Sequence, residues 1–129
     1  METQRHEELL RHAREYINIL LYEGKAAKAA EVFRACYRVD SGFKPADPDR
    51  YYSLASVLRQ LQAHKEVLGL ITDFHRAFPK HPDVPRLYLL AAQVYSEALH
   101  RDDQATRILR YLVARYPGHE LQPQIQHYL

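Results

Sequence analysis

Residues of like character return every 37 or 38 positions along this chain. Ile17, Ala55 and Ala92 lie 38 and 37 apart, and Phe33, Ile71 and Leu109 lie 38 and 38 apart. Cys36, Phe74 and Leu112 repeat the second spacing, and the endings Arg76-Ala77-Phe78-Pro79 and Ala114-Arg115-Tyr116-Pro117 match. A period of this length denotes a supersecondary unit that cannot bury its apolar face alone and does so by stacking on its neighbours.

The unit is helical. Within it, apolar residues recur at three or four positions and almost never alternate, which is the spacing of one helix face. Ala and Leu supply 32 of the 129 residues, against 15 for Val, Ile and Thr together. Unbranched side chains lose little entropy in a helix, whereas β-branched ones lose rotamer freedom. The punctuation divides the chain into about seven helices: Arg5 to Tyr22, Lys25 to Val39, Asp47 to Leu61, His64 to Phe78, Asp83 to Leu99, Asp102 to the residue before Tyr116, and Leu121 to Leu129. Gly24 suits the left-handed residue that closes a helix. Asp47, Asp83 and Asp102 suit N-caps, and Pro48 and Pro123 suit first turns. The first, third and fifth helices pair by similarity, as do the second, fourth and sixth. The expected fold is therefore all-α: a right-handed superhelix of about three antiparallel hairpins, near 5–39, 48–78 and 83–116, with a terminal helix at 119–129, all in one domain of residues 1–129.

These residues resemble the tetratricopeptide repeat family. Tyr51, Leu54, Ala55, Leu58, Val67, Ile71, Phe74 and Pro79 fit the pattern in the second unit. Tyr88, Ala91, Ala92, Tyr95, Ala105, Leu109, Leu112 and Pro117 fit it in the third. The first unit carries Gly24, Ala29, Phe33 and Cys36, with Ala13 at the aromatic position. The units exceed the usual length of about 34 residues. A long loop spans Val39 to Asp47, and Ala55 and Ala92 replace the glycine beside the leucine, so the repeats are degenerate.

The sequence carries no specific catalytic or metal-binding constellation. His6 and His12 are six apart, where a helical metal motif needs four. His75 and His81 straddle a helix end and read as solvated or locally bonded. Cys36 occupies a core position, where a thiol behaves as a small apolar group. Ser53, Ser56 and Ser96 have no histidine and acid at a recognisable spacing. The four glycines are scattered, so no phosphate-cradling loop forms. The reading is of a protein that is not an enzyme, with no cofactor, no metal and no small-molecule substrate. Among the ten tyrosines, Tyr16, Tyr51, Tyr88, Tyr95 and Tyr111 fall at packing positions, and Tyr22 and Tyr52 fall on the other side of their helices.

The resemblance implies that the first helix of each hairpin lines a concave groove that takes a peptide or partner segment. Its non-core positions are Arg11, Arg14, Asn18 and Tyr22, then Tyr52, Ser53, Ser56 and Arg59, then Arg86, Leu89, Leu90, Gln93 and Glu97. Guanidinium groups hold carboxylates with paired hydrogen bonds. Arg14, Asn18 and Arg86 match three positions at which some family members grip a C-terminal carboxylate, while Ser53 and Leu90 stand at the other two. The expected ligand-binding residues are Arg14, Asn18, Tyr22, Tyr52, Arg59 and Arg86, and the expected ligand is a peptide, acidic or with an acidic C-terminus. Lys28, Glu31 and Arg34 would face solvent on the opposite side.

Two other readings stand beside this one. The chain is an architectural spacer or assembly segment of a larger protein: Leu121, Ile125 and Leu129 form an apolar stripe that packs on the last hairpin, and the other face of this terminal helix drives self-association if the helix opens a further repeat. Or, ranked below, it is an RNA-binding helical repeat. A formal net charge of +2, with Glu97 in the presumed groove, disfavours nucleic acid. No run of 18 apolar residues crosses a membrane. Met1 to Leu10 lacks the pattern of a signal peptide, and the lone cysteine forms no intramolecular disulfide, so the expected setting is cytoplasmic.

Overall fold

The computed structural model describes residues 2–129 of the chain, and side chains from Arg5 onward. Met1, where the reading of the N-terminus begins, lies outside the described residues. The described chain is all-α, without strands, and its helices pack against one another. Its described backbone forms two compact units, residues 2–70 and 71–129.

In the first unit, α1 (Glu2–Tyr22) and α2 (Ala26–Val39) form a hairpin. Gly24 takes the expected left-handed conformation at φ +78°, and the amide of Lys25 closes back on the carbonyl of Leu20 at 2.7 Å. A link of three residues leaves the chain no course but to return along α1. A 3₁₀ turn (Pro48–Arg50) then leads into α3 (Tyr51–Gln60), and the Asp47 side chain caps it by accepting from the Asp49 amide at 2.9 Å. α4 (His64–Ile71) follows a tight turn at Gln62, φ +59°. Ile17, Leu20, Leu21, Ala29, Ala30, Phe33, Leu54, Ala55, Leu58, Val67 and Leu70 fill the core.

The second helices approach closely at Gly69. A Cβ built there would lie 2.5 Å from the Tyr37 ring, so α2 lays an aromatic ring where α4 has no side chain. Arg34, expected in solvent, instead faces Glu66 of α4 at 3.7 Å.

The loop between α2 and α3 is a packing element. Phe43 is buried, with its ring 5.9 Å from that of Phe33, and Pro45 is buried beside it. The Tyr51 hydroxyl donates to the Pro45 carbonyl at 2.8 Å. Lys44 donates to the carbonyls of Gly69 and Leu70, placing a cation on the last turn of α4, where the helix dipole favours one.

In the second unit, the helix expected from His64 to Phe78 is broken. Asp73 sits at φ +64°, and a short α5 (Phe74–Ala77) starts afresh after it. Asp tolerates the left-handed region better than most residues, and Arg76 pairs with its carboxylate at 3.4 Å. α6 (Val84–Gln93) continues into a π-turn (Val94–Ala98), in which the Leu99 amide reaches the Val94 carbonyl. α7 (Asp102–Arg115) and α8 (Gln122–Tyr128) complete the unit. Asp83 and Asp102 do not cap with their side chains. Asp83 instead binds Arg86 at 2.8 Å, and Asp102 accepts from the Ser96 hydroxyl.

The two connections of this unit repeat bond for bond. His81 Nδ1 accepts from the Asp83 amide at 3.0 Å, and His119 Nδ1 accepts from the Leu121 amide at 3.1 Å. The His81 amide donates to the Phe78 carbonyl as that of His119 does to Tyr116, and the Val84 amide donates to His81 as that of Gln122 does to His119. These pairs are 38 residues apart, as are Pro85 and Pro123 in the first turns of α6 and α8. Ile125 is fully buried in a cluster with Leu89, Ala92, Ala105, Leu109 and Leu112. Leu121 is partly buried and packs against this cluster, whereas Leu129 is exposed, so the terminal stripe expected from all three reduces to two.

Candidate functional site

The structure gives the six expected ligand-binding residues different surroundings. Arg14 is half-buried and occupied. Its Nε donates to the Lys44 carbonyl at 3.0 Å, and its guanidinium lies 4.9 Å from the Phe43 ring centre. The long loop, which α-helical periodicity does not place, folds back onto α1 and takes this side chain. Asn18, one turn on, is half-buried, and its Oδ1 is buried without a partner. Tyr22 is 78% exposed, and the Arg50 guanidinium lies 5.5 Å from its ring centre. Tyr52 and Arg59 are half-buried on α3, and the Tyr52 carbonyl accepts from Ser56. Arg86 belongs to the second unit and is held by Asp83.

Two further groove positions, Leu89 and Leu90, are buried. α6 packs on α7, and its Leu89 and Ala92 share one buried cluster with Ala105, Leu109 and Leu112 of α7 and Ile125 of α8. Glu97 accepts from the Tyr128 hydroxyl at 2.7 Å. Tyr16 and Tyr111, expected in packing, are substantially exposed.

Burial raises two groups of the first unit. The Cys36 thiol is pushed up by desolvation, which the Arg14 charge partly offsets. The Tyr51 phenol is pushed up to about 12, chiefly by desolvation. Both are held as neutral packing groups at physiological pH.

The second unit contains a pocket of about 180 Å³ lined by His75, Tyr88, Arg107, Ile108 and Tyr111. After the break at Asp73, α5 presents His75 to Tyr88 of α6. The His75 ring meets Tyr88 edge-on, with centres 5.1 Å apart, and Tyr111 of α7 at 5.9 Å. His75 Nδ1 sits 2.5 Å from the Tyr88 hydroxyl, which also accepts from the His75 amide and reaches the Ile71 carbonyl at 3.2 Å. Burial raises the Tyr88 phenol, so the hydroxyl keeps its proton for one of these acceptors. The polar ends of the two rings thus satisfy each other. Arg107 is exposed and makes no ion pair among the described residues. Sequence reasoning assigned Tyr88 and Tyr111 to packing, took His75 as solvated or locally bonded, and passed over Arg107 and Ile108. The available signal was the set Arg107, Ile108 and Tyr111, which share one side of α7.

Among the described residues, no group of three or more His, Cys, Asp or Glu side chains is placed to hold a metal ion. None of the described helices is long and apolar enough to cross a membrane. The class of protein this defines is an all-α chain of packed helices. No family model, no curated protein and no solved structure matches it.

Proposed function

We propose that this chain is a non-catalytic interaction module, a degenerate tetratricopeptide-like array of hairpins that binds a peptide or partner segment along its first helices. Three sets of residues at the 37–38 spacing support the repeat, since all nine are buried. The matched connections at His81 and His119 support it independently.

The observation that carries the binding role is the outer side of α1. Ile17, Leu20 and Leu21 are buried on one side, while Tyr16, Ile19 and Tyr22 are exposed on the other. Positions 16, 19 and 22 follow one another at three-residue steps along one side of a helix. Single exposed apolar groups are ordinary, but a row of them marks an interaction surface. Asn18 borders this row and Tyr22 ends it, and these two remain the polar contacts of the reading. Arg14 is committed to the loop and is withdrawn from it. The same spacing suits a neighbouring helix, which favours the assembly segment as the second reading.

The test is an amide chemical-shift titration against pooled peptides, some with acidic C-termini, with amidated copies and a short single-stranded RNA as controls. Sedimentation of the free chain runs beside it. Peptide-induced shifts at Tyr16, Asn18, Ile19 and Tyr22 support the module, and their loss on amidation assigns a carboxylate. Self-association abolished by Ile19→Lys supports the assembly reading instead. Shifts from RNA alone overturn both.

A further inference from the structure

We infer that the pocket of the second unit is a separate contact site, which takes one aromatic side chain of a partner peptide with a carboxylate next to it. The inference rests on the reading of the chain as a peptide-binding module and names the class of peptide.

The size of the pocket sets the first half of this specificity. A cavity of about 150 Å³ accommodates a benzene ring, whereas sites that enclose whole small molecules run to about 300–1,000 Å³. At about 180 Å³ this one holds a single ring and little more. Its chemistry agrees. The Tyr88 hydroxyl and His75 Nδ1 are turned toward each other, so both rings offer carbon to an incoming group. Their edge-on arrangement with Tyr111 continues naturally with a further ring, because aromatic pairs favour edge-to-face and offset contacts. Ile108 supplies aliphatic contact from α7.

Arg107 sets the second half. It lines the same pocket, is exposed, and has no carboxylate partner among the described residues. A guanidinium fork matches a carboxylate in two parallel hydrogen bonds. A ring in the pocket places the adjoining peptide residues within reach of that fork. Tyr111, 41% exposed, keeps the site open to a chain arriving from outside.

The test uses the whole chain and blocked peptides that carry one Phe beside Glu, Phe beside Lys, or Ala beside Glu, with 3-phenylpropionate as a free acid, all at low salt. The Phe-Glu peptide is expected to shift the signals of His75, Ile108 and Tyr111. It should bind about 1.5- to 5-fold more tightly than the Phe-Lys peptide, the range set by one exposed ion pair. Arg107→Gln, a substitution on an exposed side chain, should make the two equal. Equal binding to the unaltered chain, an unchanged preference in Arg107→Gln, or Ala-Glu binding as well as Phe-Glu overturns the proposal. So does 3-phenylpropionate binding as tightly as the peptide, which would reassign the pocket to a free ligand. Peptide shifts confined to α1 overturn this site while leaving the module standing. No shift at either place overturns both.

Discussion

Replacing Arg14 by alanine separates a groove residue from a packing residue. On the repeat alignment alone, Arg14 faces solvent, and its removal would cost no more than about 0.5 kcal/mol. The structure gives a larger figure. Arg14→Ala deletes a hydrogen bond from a cationic donor to the Lys44 carbonyl, worth about 1–1.5 kcal/mol at a half-exposed site. It also deletes a guanidinium 4.9 Å from the Phe43 ring centre, worth about 0.5–1 kcal/mol. The sum is about 1.5–2.5 kcal/mol, read as a downward shift of the urea midpoint by about 1 M at the slopes usual for small proteins. Arg14→Lys keeps the charge but not the planar fork, and should recover less than half of it. Arg11→Ala is the control, because that side chain is exposed on the same helix. A cycle with Phe43→Leu should return about 0.5–1 kcal/mol of coupling. If Arg14→Ala and Arg11→Ala agree within about 0.5 kcal/mol, the loop is not held by Arg14, and Arg14 returns to the groove.

Three other perturbations test the remaining contacts. Tyr51→Phe should cost about 1 kcal/mol at neutral pH by deleting the hydrogen bond to Pro45. Because the folded pKa of about 12 lies above the unfolded value near 10, the unfolded state loses its proton first. The Tyr51 contribution is therefore complete below pH 10 and lost between about pH 10 and 12. The difference between native and Tyr51→Phe stabilities should shrink across that window, and a constant difference refutes the assignment. Gly69→Ala gains about 1 kcal/mol of helix propensity but forces the Tyr37 ring aside at a cost of about 1–3 kcal/mol. It should destabilise the native chain and stabilise a Tyr37→Leu background, so stabilisation of both would mean the ring yields freely. Ile125→Ala should cost about 2–5 kcal/mol and open the amides of α8 to hydrogen exchange, since seven residues do not hold a helix without packing. A loss below about 1 kcal/mol would remove α8 from the core.

What was legible in the sequence is what a single helix decides for itself. Ile17, Ala55 and Ala92, with the two sets running through Phe33 and Cys36, are buried because periodicity fixes which side of a helix is apolar. Periodicity does not say how many neighbours a helix has. Leu89 and Leu90 looked like groove positions because a stripe of ordinary width leaves them outside it, yet both are buried, Leu89 in the cluster that joins α6 to α7 and Ile125. Tyr16 carried the opposite error: its spacing suits packing, but its side chain is 45% exposed on α1. Backbone departures escaped for a different reason. A left-handed Asp73 inside an apolar run has no signature apart from the tolerance of Asp, and yet that one residue starts α5 and makes the pocket of His75. Phe43 was hidden because loops are read by composition, and one aromatic among Ser, Gly and Pro does not announce that the loop is core.

The histidines show that the repeat held more information than its apolar positions. His81 and His119 are 38 apart, and so are Pro79 and Pro117, and Pro85 and Pro123. Each histidine accepts the amide two residues on, which fixes the turn that the two flanking prolines bracket. A polar side chain that recurs in phase with the core is under the same geometric demand as the core, because it satisfies a backbone donor at the same place in each unit. The first-helix face obeys no such demand. Arg14, Tyr52 and Leu89 differ in kind at corresponding places, and the structure holds Arg14 on the loop, leaves Tyr52 half-buried and buries Leu89. Fold is written in what recurs from unit to unit, and recognition in what does not. The exposed row on α1 and the ring pocket beside Arg107 are both features of single units, and they are where a partner would be distinguished.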